Sequence, residues 1–316
     1  MNQREKKREL CPICKTELKV SDNIYTLNEL FKLWAPVQFS KKTIEEHRLQ
    51  SEYTQMYSCP ECKIEIFLPQ IIGTSNFFED LLKHESHYFY SDEKWDFDEA
   101  LKDTKNCDAI IEIGCGPGNF IEKVKPYVAQ VYGTEYNERA LRIARDKGLK
   151  VFKIDDKNVA KMKGQFDAAF SFHVLEHVAE PVKFIQELIS WIKPGGKIGI
   201  SVPNQDGPIK YIKPCIQNMP PHHATRWHLK TFETIAEKFS LKIEKIVYEP
   251  LISRDYYYST YWANHKFSGK SFLMKLFRFT VNKLFYLFFE ILSIFGKNSI
   301  VSLKGQSIYV LLSRAK

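Results

Sequence analysis

The middle of the chain alternates short apolar runs with helical patterns of apolar residues. "CDAIIEIG" (107–114) is a short apolar run that enters a glycine turn, which predicts a buried strand. Similar runs predict strands at 129–136, 149–154, 165–172, 197–204 and 241–250. Helical patterns lie between them, at 118–128, 137–148, 180–196 and 231–240, with Asn137 and Gly148 as caps of one helix. This alternation predicts an α/β doubly wound sheet that binds its ligand at the carboxyl ends of the strands.

The end of the chain has a different pattern. Residues 268–297 are mostly apolar, and their polar side chains recur every three or four residues: Lys275, Arg278, Asn282, Tyr286 and Glu290. That spacing predicts an amphipathic helix with one narrow polar stripe. Such a helix either packs against its own domain or a second subunit, as in a homo-oligomer, or lies on a membrane surface as a peripheral contact. "GQSIYVLLSR" (305–314) then predicts a last strand, so the helix is an insertion before it.

The amino-acid composition does little to distinguish between classes of protein or partner. The chain has 316 residues, 44% of them hydrophobic and 27% charged, which is typical of a globular protein. Its net charge of +8 is compatible with acidic substrates, a membrane surface or nucleic acid. The charged N-terminus does not resemble a signal peptide, no run of eighteen apolar residues occurs, and seven cysteines is an odd number. We therefore expect a cytoplasmic protein, with membrane-peripheral attachment if the tail helix provides it.

A glycine-rich loop follows the first strand of the middle region. In "IIEIGCGPGNF" (110–120), Gly114, Gly116 and Gly118 come directly after the strand and at the start of a helix, and Glu112 precedes them. Glycine allows a tight turn and close approach of a ligand to the backbone, and the helix N-terminus adds free N–H groups. The spacing is not that of a dinucleotide fingerprint, because position 119 is Asn and the third glycine comes one residue early.

These motifs resemble those of the class I S-adenosylmethionine-dependent methyltransferases. "EIGCGPGNF" is similar to their first motif, "FDAAFSFHVLEHVAEP" to their fourth, and "WIKPGGKIGISVPN" to their fifth-strand segment. The resemblance implies a seven-stranded Rossmann-like sheet whose last strand is an antiparallel edge member. It also implies a cofactor site, in which Glu135 would accept hydrogen bonds from the ribose hydroxyls and Asp155 or Asp156 would contact the adenine. The full set of expected cofactor residues is Glu112, Gly114, Gly116, Gly118, Asn119, Glu135, Tyr136, Asp155, Asp156, Ser171 and Phe172.

Two cysteine pairs mark the N-terminal region. "CPIC" (11–14) and "CPEC" (59–62) can together place four thiolates on one ion, which predicts a structural zinc site of Cys11, Cys14, Cys59 and Cys62. The alternative is a redox dithiol, which needs only one pair. The long spacing resembles the zinc domain of sugar C-methyltransferases more than the compact module of an rRNA guanine methyltransferase group. We therefore expect a zinc-ribbon-like domain at 1–80 and a methyltransferase domain at 81–316.

The segment "NMPPHHATRWH" (218–228) follows the fifth strand and should lie over the methyl donor. We predict that His222 or His223 is the general base or positions the acceptor, with His173 as a further pocket residue. Arg226 would hold an acidic part of the substrate. A metal site is not expected here, because adjacent histidines should point apart and no nearby cysteine or carboxylate completes a site. The alternative is that the segment only braces the loop.

The sequence thus predicts an S-adenosylmethionine-dependent methyltransferase that acts on a sugar or other small polar acceptor, including a nucleotide- or lipid-linked glycan. One alternative is an rRNA or tRNA methyltransferase whose zinc domain binds RNA. The N-terminal region has no dense Lys/Arg stripe with interleaved aromatic residues, which disfavours a nucleic-acid partner. A second alternative is a binding module that has lost catalysis, which the intact glycines and Glu135 disfavour.

Overall fold

The structure is a computed structural model that describes residues 8–35, 37–89, 94–154, 156–211, 215–250, 280, 283–284 and 305–315. The predicted helical insertion at 268–297 lies outside the described residues except at three positions, and so does Asp155. Among the described ranges, no helix combines the length and the hydropathy needed to cross a membrane.

The N-terminal part contains a small antiparallel sheet and three helices. Its elements are β1 (Lys19–Thr26), α1 (Leu27–Leu33), α2 (Lys41–Arg48), β2 (Tyr53–Ser58), β3 (Glu65–Leu68) and α3 (Ser75–Phe89). Two tight turns at 11–14 and 59–62, each with a cysteine pair, lie beside this sheet. The sheet's fourth strand comes from far along the chain, in the order β1-β2-β3-β9, where β9 is Thr225–Arg226.

The remainder forms a seven-stranded sheet in the order β10-β11-β8-β7-β4-β5-β6. Its strands are β4 (Ala109–Ile113), β5 (Gln130–Glu135), β6 (Val151–Lys153), β7 (Phe166–Phe172), β8 (Ile192–Pro203), β10 (Leu241–Tyr248) and β11 (Ser307–Arg314). The helices are α4 (Trp95–Asp103), α5 (Asn119–Val124), α6 (Glu138–Asp146), α7 (Lys157–Ala160), α8 (Pro181–Trp191) and α9 (Leu229–Lys238). Strands β6, β5, β4, β7 and β8 are parallel, and β11 is antiparallel to both of its neighbours. The predicted doubly wound α/β fold is confirmed.

Two details of the sequence prediction are wrong. The last strand, β11, is not at the edge of the sheet but lies between β8 and β10. Its residues 308–312 are all buried, and such a continuous apolar run suits an interior strand, whereas β10 alternates exposed and partly buried residues. Helix α8 ends at Trp191 and β8 begins at Ile192, so the Pro-Gly-Gly segment at 194–196 belongs to the strand and not to the end of the helix.

The two sheets share one hydrophobic core. The cluster of buried residues around the cysteine turns continues into residues of the large sheet and of α9: Cys11, Ile13, Cys59, Cys62, Ile64, Ile66, Trp191, Trp227, Phe232 and Ile235. Helix α9 also bonds directly to both turns, since Thr231 Oγ1 donates to Cys62 O (2.8 Å) and Lys238 Nζ donates to Ile13 O (2.5 Å). The N-terminal part is therefore built onto the large sheet rather than tethered beside it.

Candidate active site

A cavity of about 1510 Å³ opens at the carboxyl ends of β4, β5 and β7. One side of it is formed by the glycine loop that follows β4, and the opposite side by α2 and α3 of the N-terminal part. The four histidines at 173, 177, 222 and 223 also line this cavity. It is the place where an open α/β sheet is expected to bind its ligand.

The glycine loop is held in a shape that only glycine tolerates. Gly114 has φ +75°, and a Cβ there would lie 2.5 Å from Val174 Cγ2. Gly118 has φ +84° and begins α5, and a Cβ there would lie 2.4 Å from Leu149 Cδ1. The loop therefore combines left-handed backbone with close packing on both flanks.

Glu135 fixes the loop from the end of the neighbouring strand. Its Oε2 accepts from Gly116 N at 2.7 Å, and its Oε1 accepts from Tyr136 N and Asn137 N, both at 2.7 Å. A carboxylate has about four acceptor positions, and three are used here, so Oε2 retains capacity for a ligand hydroxyl. Its place on the cavity wall fits the predicted contact with a ribose, and it also explains how the loop is oriented without a ligand.

Glu112 is a buried acid at the base of the loop. Only 3% of it is exposed, and burial raises the pKa of its carboxyl well above the usual range. Within the described residues, its Oε2 has no hydrogen-bond partner. A ligand donor in the cavity would satisfy this atom, so the loop, Glu112 and Glu135 together fit S-adenosylmethionine.

The other predicted cofactor residues divide into two groups. Asn119, Tyr136 and Phe172 line the cavity with Gly114 and Gly116. Gly118, Asp156 and Ser171 are not part of its lining. Ser171 is buried, and its hydroxyl donates to Ile113 O (3.0 Å), which links β7 to β4.

The histidines form one cluster with a buried glutamate. The rings of His222 and His223 are stacked, with centroids 4.4 Å apart, and His177 lies 4.9 and 4.8 Å from them. Glu176, 1% exposed, places Oε1 3.9 Å from His223 Nε2 and 4.0 Å from His177 Nε2. The expectation that the adjacent histidines point apart with no carboxylate nearby is therefore wrong. The segment at 218–228 folds back onto the 3-10 turn Leu175–His177, with Ala224 N donating to Glu176 O (2.9 Å).

The protonation of these histidines differs by position. Burial lowers the pKa of His222 to about 3, assisted by the nearby His177, and burial also lowers the pKa of His223 well below its usual value. Burial acts in the same direction on His173, but hydrogen bonds to Asp96 and Glu176 outweigh it and raise its pKa to about 9. His222 and His223 are thus neutral and weakly basic at neutral pH, which argues against general-base catalysis by either.

Asp96 and Glu176 were missed by the sequence reasoning. Asp96 lies in α4 and is 1% exposed, with Oδ2 3.4 Å from His173 Nε2. His173 itself has φ +53°, a left-handed conformation that is uncommon outside glycine. Nothing in the local sequence around Asp96 distinguishes it from a surface acid, whereas Glu176 could have been noticed between the two histidines of "HVLEH".

Arg226 does not occupy the cavity. It lies in β9, where its Nε donates to Asn218 O (2.7 Å) and its NH1 donates to Glu65 Oε2 (3.1 Å). Its guanidinium also packs over the Phe67 ring, 4.9 Å from the centroid. Through these contacts, Arg226 links the segment at 218–228 to the N-terminal sheet. They give no support to its predicted role in binding an acidic substrate.

The four cysteines of the two turns converge. Cys11 Sγ lies 3.5 Å from Cys62 Sγ, and Cys14 Sγ lies 3.3 Å from Cys59 Sγ, with all four sulfurs within 4.8 Å of one another. Four thiolates on a tetrahedral zinc ion, with Zn–S of about 2.3 Å, have sulfurs about 3.8 Å apart. The donor set therefore fits a zinc ion, and none of these cysteines is among the described residues that line the cavity.

The strand order, the glycine loop and the acid at the end of β5 define a Rossmann-like S-adenosylmethionine-dependent methyltransferase. A family model described as "Methyltransferase domain" matches residues 83–246, just over half of the chain, and the chain belongs to this family.

The chain is also similar to parts of other proteins of known sequence or structure. A ubiquinone biosynthesis O-methyltransferase of Bordetella pertussis is 33% identical over 104 residues, which are 31% of this chain and 43% of that protein. The counterpart of Escherichia coli O127:H6 is 28% identical over 105 residues, 31% and 44% of the two chains. This chain thus spans less than half the length of these curated relatives. A methyltransferase structure from Archaeoglobus fulgidus superimposes with a TM-score of 0.46 and 18% identity, covering 74% of this chain and 99% of that one.

Proposed function

We propose that this methyltransferase transfers its methyl group to a hydroxyl of a small polar acceptor, a sugar unit free or carried on a nucleotide or lipid. The observation that carries the proposal is the composition of the cavity wall opposite the glycine loop. That wall presents amide, hydroxyl and carboxylate groups beside an aromatic ring, a combination that suits a polyhydroxylated ligand: Glu46, Gln50, Thr74, Asn76, Phe78 and Gln217.

Glu46 is the best-placed of these groups. Its Oε2 accepts from Thr74 Oγ1 (2.7 Å) and its Oε1 accepts from Asn76 Nδ2 (2.5 Å), so the carboxylate is held in place by two neighbours. A fixed carboxylate with remaining acceptor capacity can bind a hydroxyl without losing side-chain entropy. The N-terminal part would then select the acceptor, while the large sheet holds the methyl donor.

S-adenosylmethionine supplies an electrophilic methyl carbon on a sulfonium. With the donor held by the glycine loop, Glu112 and Glu135, that methyl would pass to the acceptor oxygen, the sulfur would keep the bonding pair, and the hydroxyl proton would pass to solvent. The chain must hold the oxygen in line with that carbon and exclude competing water. Neutral His222 and His223, buried on the cavity wall, are suited to position the acceptor. Of the two roles predicted for these histidines, general base and acceptor positioning, we therefore propose acceptor positioning.

We also propose that the four cysteines hold a structural zinc ion. The four sulfurs are already close to tetrahedral spacing, and both turns bond to α9 of the methyltransferase part. A closed four-thiolate site has no open coordination position, so the ion would hold the cavity wall in place without touching the substrate.

Donor binding is tested by isothermal titration with S-adenosylmethionine. Replacement Glu135→Gln should weaken binding at least about tenfold, because the carboxylate both meets the ligand and fixes Gly116. The control is Glu138→Gln, three residues further on at the surface of α6, which should bind as the wild type does. Absence of binding by the wild-type protein would overturn the assignment of the cavity.

Acceptor class is tested by a methyl-transfer screen over nucleotide sugars, lipid-linked glycans, phenols and RNA. With the best sugar acceptor, Glu46→Gln should raise KM about tenfold and leave donor affinity unchanged. Its control is Glu45→Gln, an exposed neighbour on the same helix. Transfer to RNA or to phenols with none to sugars would contradict the proposed acceptor.

A further inference from the structure

Three histidines and one buried carboxylate meet at the wall of the cavity. One ring nitrogen from each of His177, His222 and His223 lies within 4.8 Å of the other two. From these contacts we propose that the cluster is a second metal site, built of imidazole nitrogens, for a first-row divalent transition-metal ion such as Zn²⁺, Fe²⁺ or Mn²⁺. It is separate from the cysteine site and has different ligand chemistry.

The hydrogen bonds of the three rings set the tautomer that metal ligation requires. His177 Nδ1 lies 2.5 Å from His222 O, His222 Nδ1 lies 2.7 Å from Gln217 O, and His223 Nδ1 lies 3.1 Å from Asn218 Oδ1. Each partner is an oxygen that can only accept, so each Nδ1 must carry the hydrogen. In a neutral ring the lone pair is then on Nε2. A ring held through Nδ1–H to an oxygen is the usual support of a metal-binding histidine.

Asn218 is itself fixed in the orientation that this arrangement needs. Its Nδ2 donates to Gln205 Oε1 at 2.9 Å, which leaves Oδ1 to face His223. Asn218 is 2% exposed and Gln205 is 7% exposed. Asn218 therefore holds His223, Gln205 holds Asn218, and both supporting side chains are protected from solvent.

Glu176 provides an independent indication of a cation. It is 1% exposed, and neither carboxylate oxygen makes a hydrogen bond of good geometry to the described residues. Its nearest nitrogen is His173 Nδ1 at 3.4 Å, and Asp96 shares that ring from the other side. The His173 ring thus lies between two buried carboxyl groups, and a buried carboxyl group without good hydrogen-bond partners is costly. A divalent ion beside His177 and His223, whose Nε2 atoms lie 4.0 and 3.9 Å from Glu176 Oε1, would give Glu176 a partner.

Binding requires the rings to close and the stacked rings of His222 and His223 to turn toward a common point. Imidazole nitrogens on one ion at about 2.1 Å lie about 3 to 3.5 Å apart, so nitrogens separated by up to 4.8 Å must approach by up to about 1.8 Å. The ion would share the cavity with the glycine loop and the acceptor wall. There it could bind the acceptor hydroxyl and lower the pKa of that hydroxyl, a role that rests on the proposed function, although the site itself does not.

The variants that test the site are His177→Asn and His223→Asn. An asparagine amide nitrogen can replace the Nδ1–H donor and keep the bond to His222 O or Asn218 Oδ1, while the Nε2 ligand is lost. His84→Asn, an exposed histidine of α3, is the matched control. Each full-length protein is titrated with Co²⁺ after mild chelation, and bound metal is counted by elemental analysis.

The wild-type protein should bind a second, exchangeable Co²⁺ with weak ligand-field bands and no sulfur charge-transfer bands. Both cluster variants should bind it at least about tenfold more weakly, and His84→Asn should bind it normally. Proton NMR of the Co²⁺-loaded wild type should show hyperfine-shifted exchangeable signals from the three Nδ1–H groups, a readout that needs no variant. One ion per chain in the wild type, or equal binding by the cluster variants, would overturn the proposal. Binding of S-adenosylmethionine, measured in parallel without metal, tests the proposed function separately.

Discussion

The imidazole of His228 joins three segments of the fold. Its Nδ1 lies 2.8 Å from Asp206 Oδ1 on the loop after β8, and its Nε2 lies 4.0 Å from Glu65 Oε1 on β3. Asp206 Oδ2 also accepts from Leu229 N (3.1 Å) at the start of α9. Burial alone would lower the pKa of His228, but the hydrogen bonds to Asp206 and Glu65 outweigh it and raise the pKa to about 9. The perturbation of interest is His228→Gln, which removes the titrating ring.

His228 binds its proton more tightly in the folded protein than in the unfolded chain, so its protonation raises the free energy of unfolding. The stabilisation is complete below pH 6.5, where both states are protonated, and is lost as pH rises through about 9. The difference between a pKa of 6.5 and one of about 9 corresponds to about 3 kcal/mol, of which about 2 kcal/mol disappears between pH 7 and pH 9.

The assay is urea unfolding of the wild type and of His228→Gln at pH 7 and pH 9. The wild type should lose about 2 kcal/mol more than the variant over this interval. Cysteines and His173 titrate in both proteins, so the difference between the two proteins isolates His228. His84→Gln, on the exposed part of α3, should behave as the wild type does. Equal losses of the free energy of unfolding in the wild type and His228→Gln would show that this ion-pair network does not set the pH dependence of stability.

Three further outcomes are expected. Gly118→Ala should lower the free energy of unfolding by about 2–4 kcal/mol and weaken donor binding, because its Cβ would lie 2.4 Å from Leu149 Cδ1. Gly164→Ala, with φ +75° and no atom of the described residues within 4 Å of the new Cβ, should lower it by only about 1 kcal/mol in urea unfolding of both variants; equal losses would refute the steric argument. Arg226→Lys should cost about 1–3 kcal/mol of stability with acceptor KM unchanged, and a KM effect at unchanged stability would restore its substrate-binding role. Cys59→Ser should abolish retention of zinc in elemental analysis, and one zinc per chain in this variant would contradict the four-thiolate site.

The parts of the fold that sequence predicted correctly are those set by local chemistry. Asn137 caps α6 by accepting from Ala140 N (3.0 Å), and Gly148 ends the same helix with φ +72°. The buried strands were recognisable as short apolar runs, and their alternation with helices was sufficient for the parallel core of the sheet. The interior position of β11 was missed, although its continuous run of buried apolar residues at 308–312 is typical of an interior strand.

The candidate site was likewise only partly predictable from the sequence. The glycine loop was recognisable from its spacing, and Glu135 from the resemblance to the methyltransferase family. The stacking of His222 on His223, and their approach to His177, depend on the return of the segment at 218–228 to the 3-10 turn at 175–177. That return is fixed in part by β9, a strand of two residues, which is too short to leave a periodic pattern. The contacts that Arg226 makes in β9 were missed for the same reason.

The pairing of β3 with β9 has a consequence for the order in which the protein is made. Glu65 and Arg226, which face each other across this pair, are separated by 161 positions in the chain. At a synthesis rate of about 5–20 residues per second, the small sheet must wait about 8–30 seconds for its last strand. The cysteine turns emerge first and can be joined by zinc during that interval. An early-bound ion would then keep the nascent N-terminal segment compact until the rest of the protein is available to complete it.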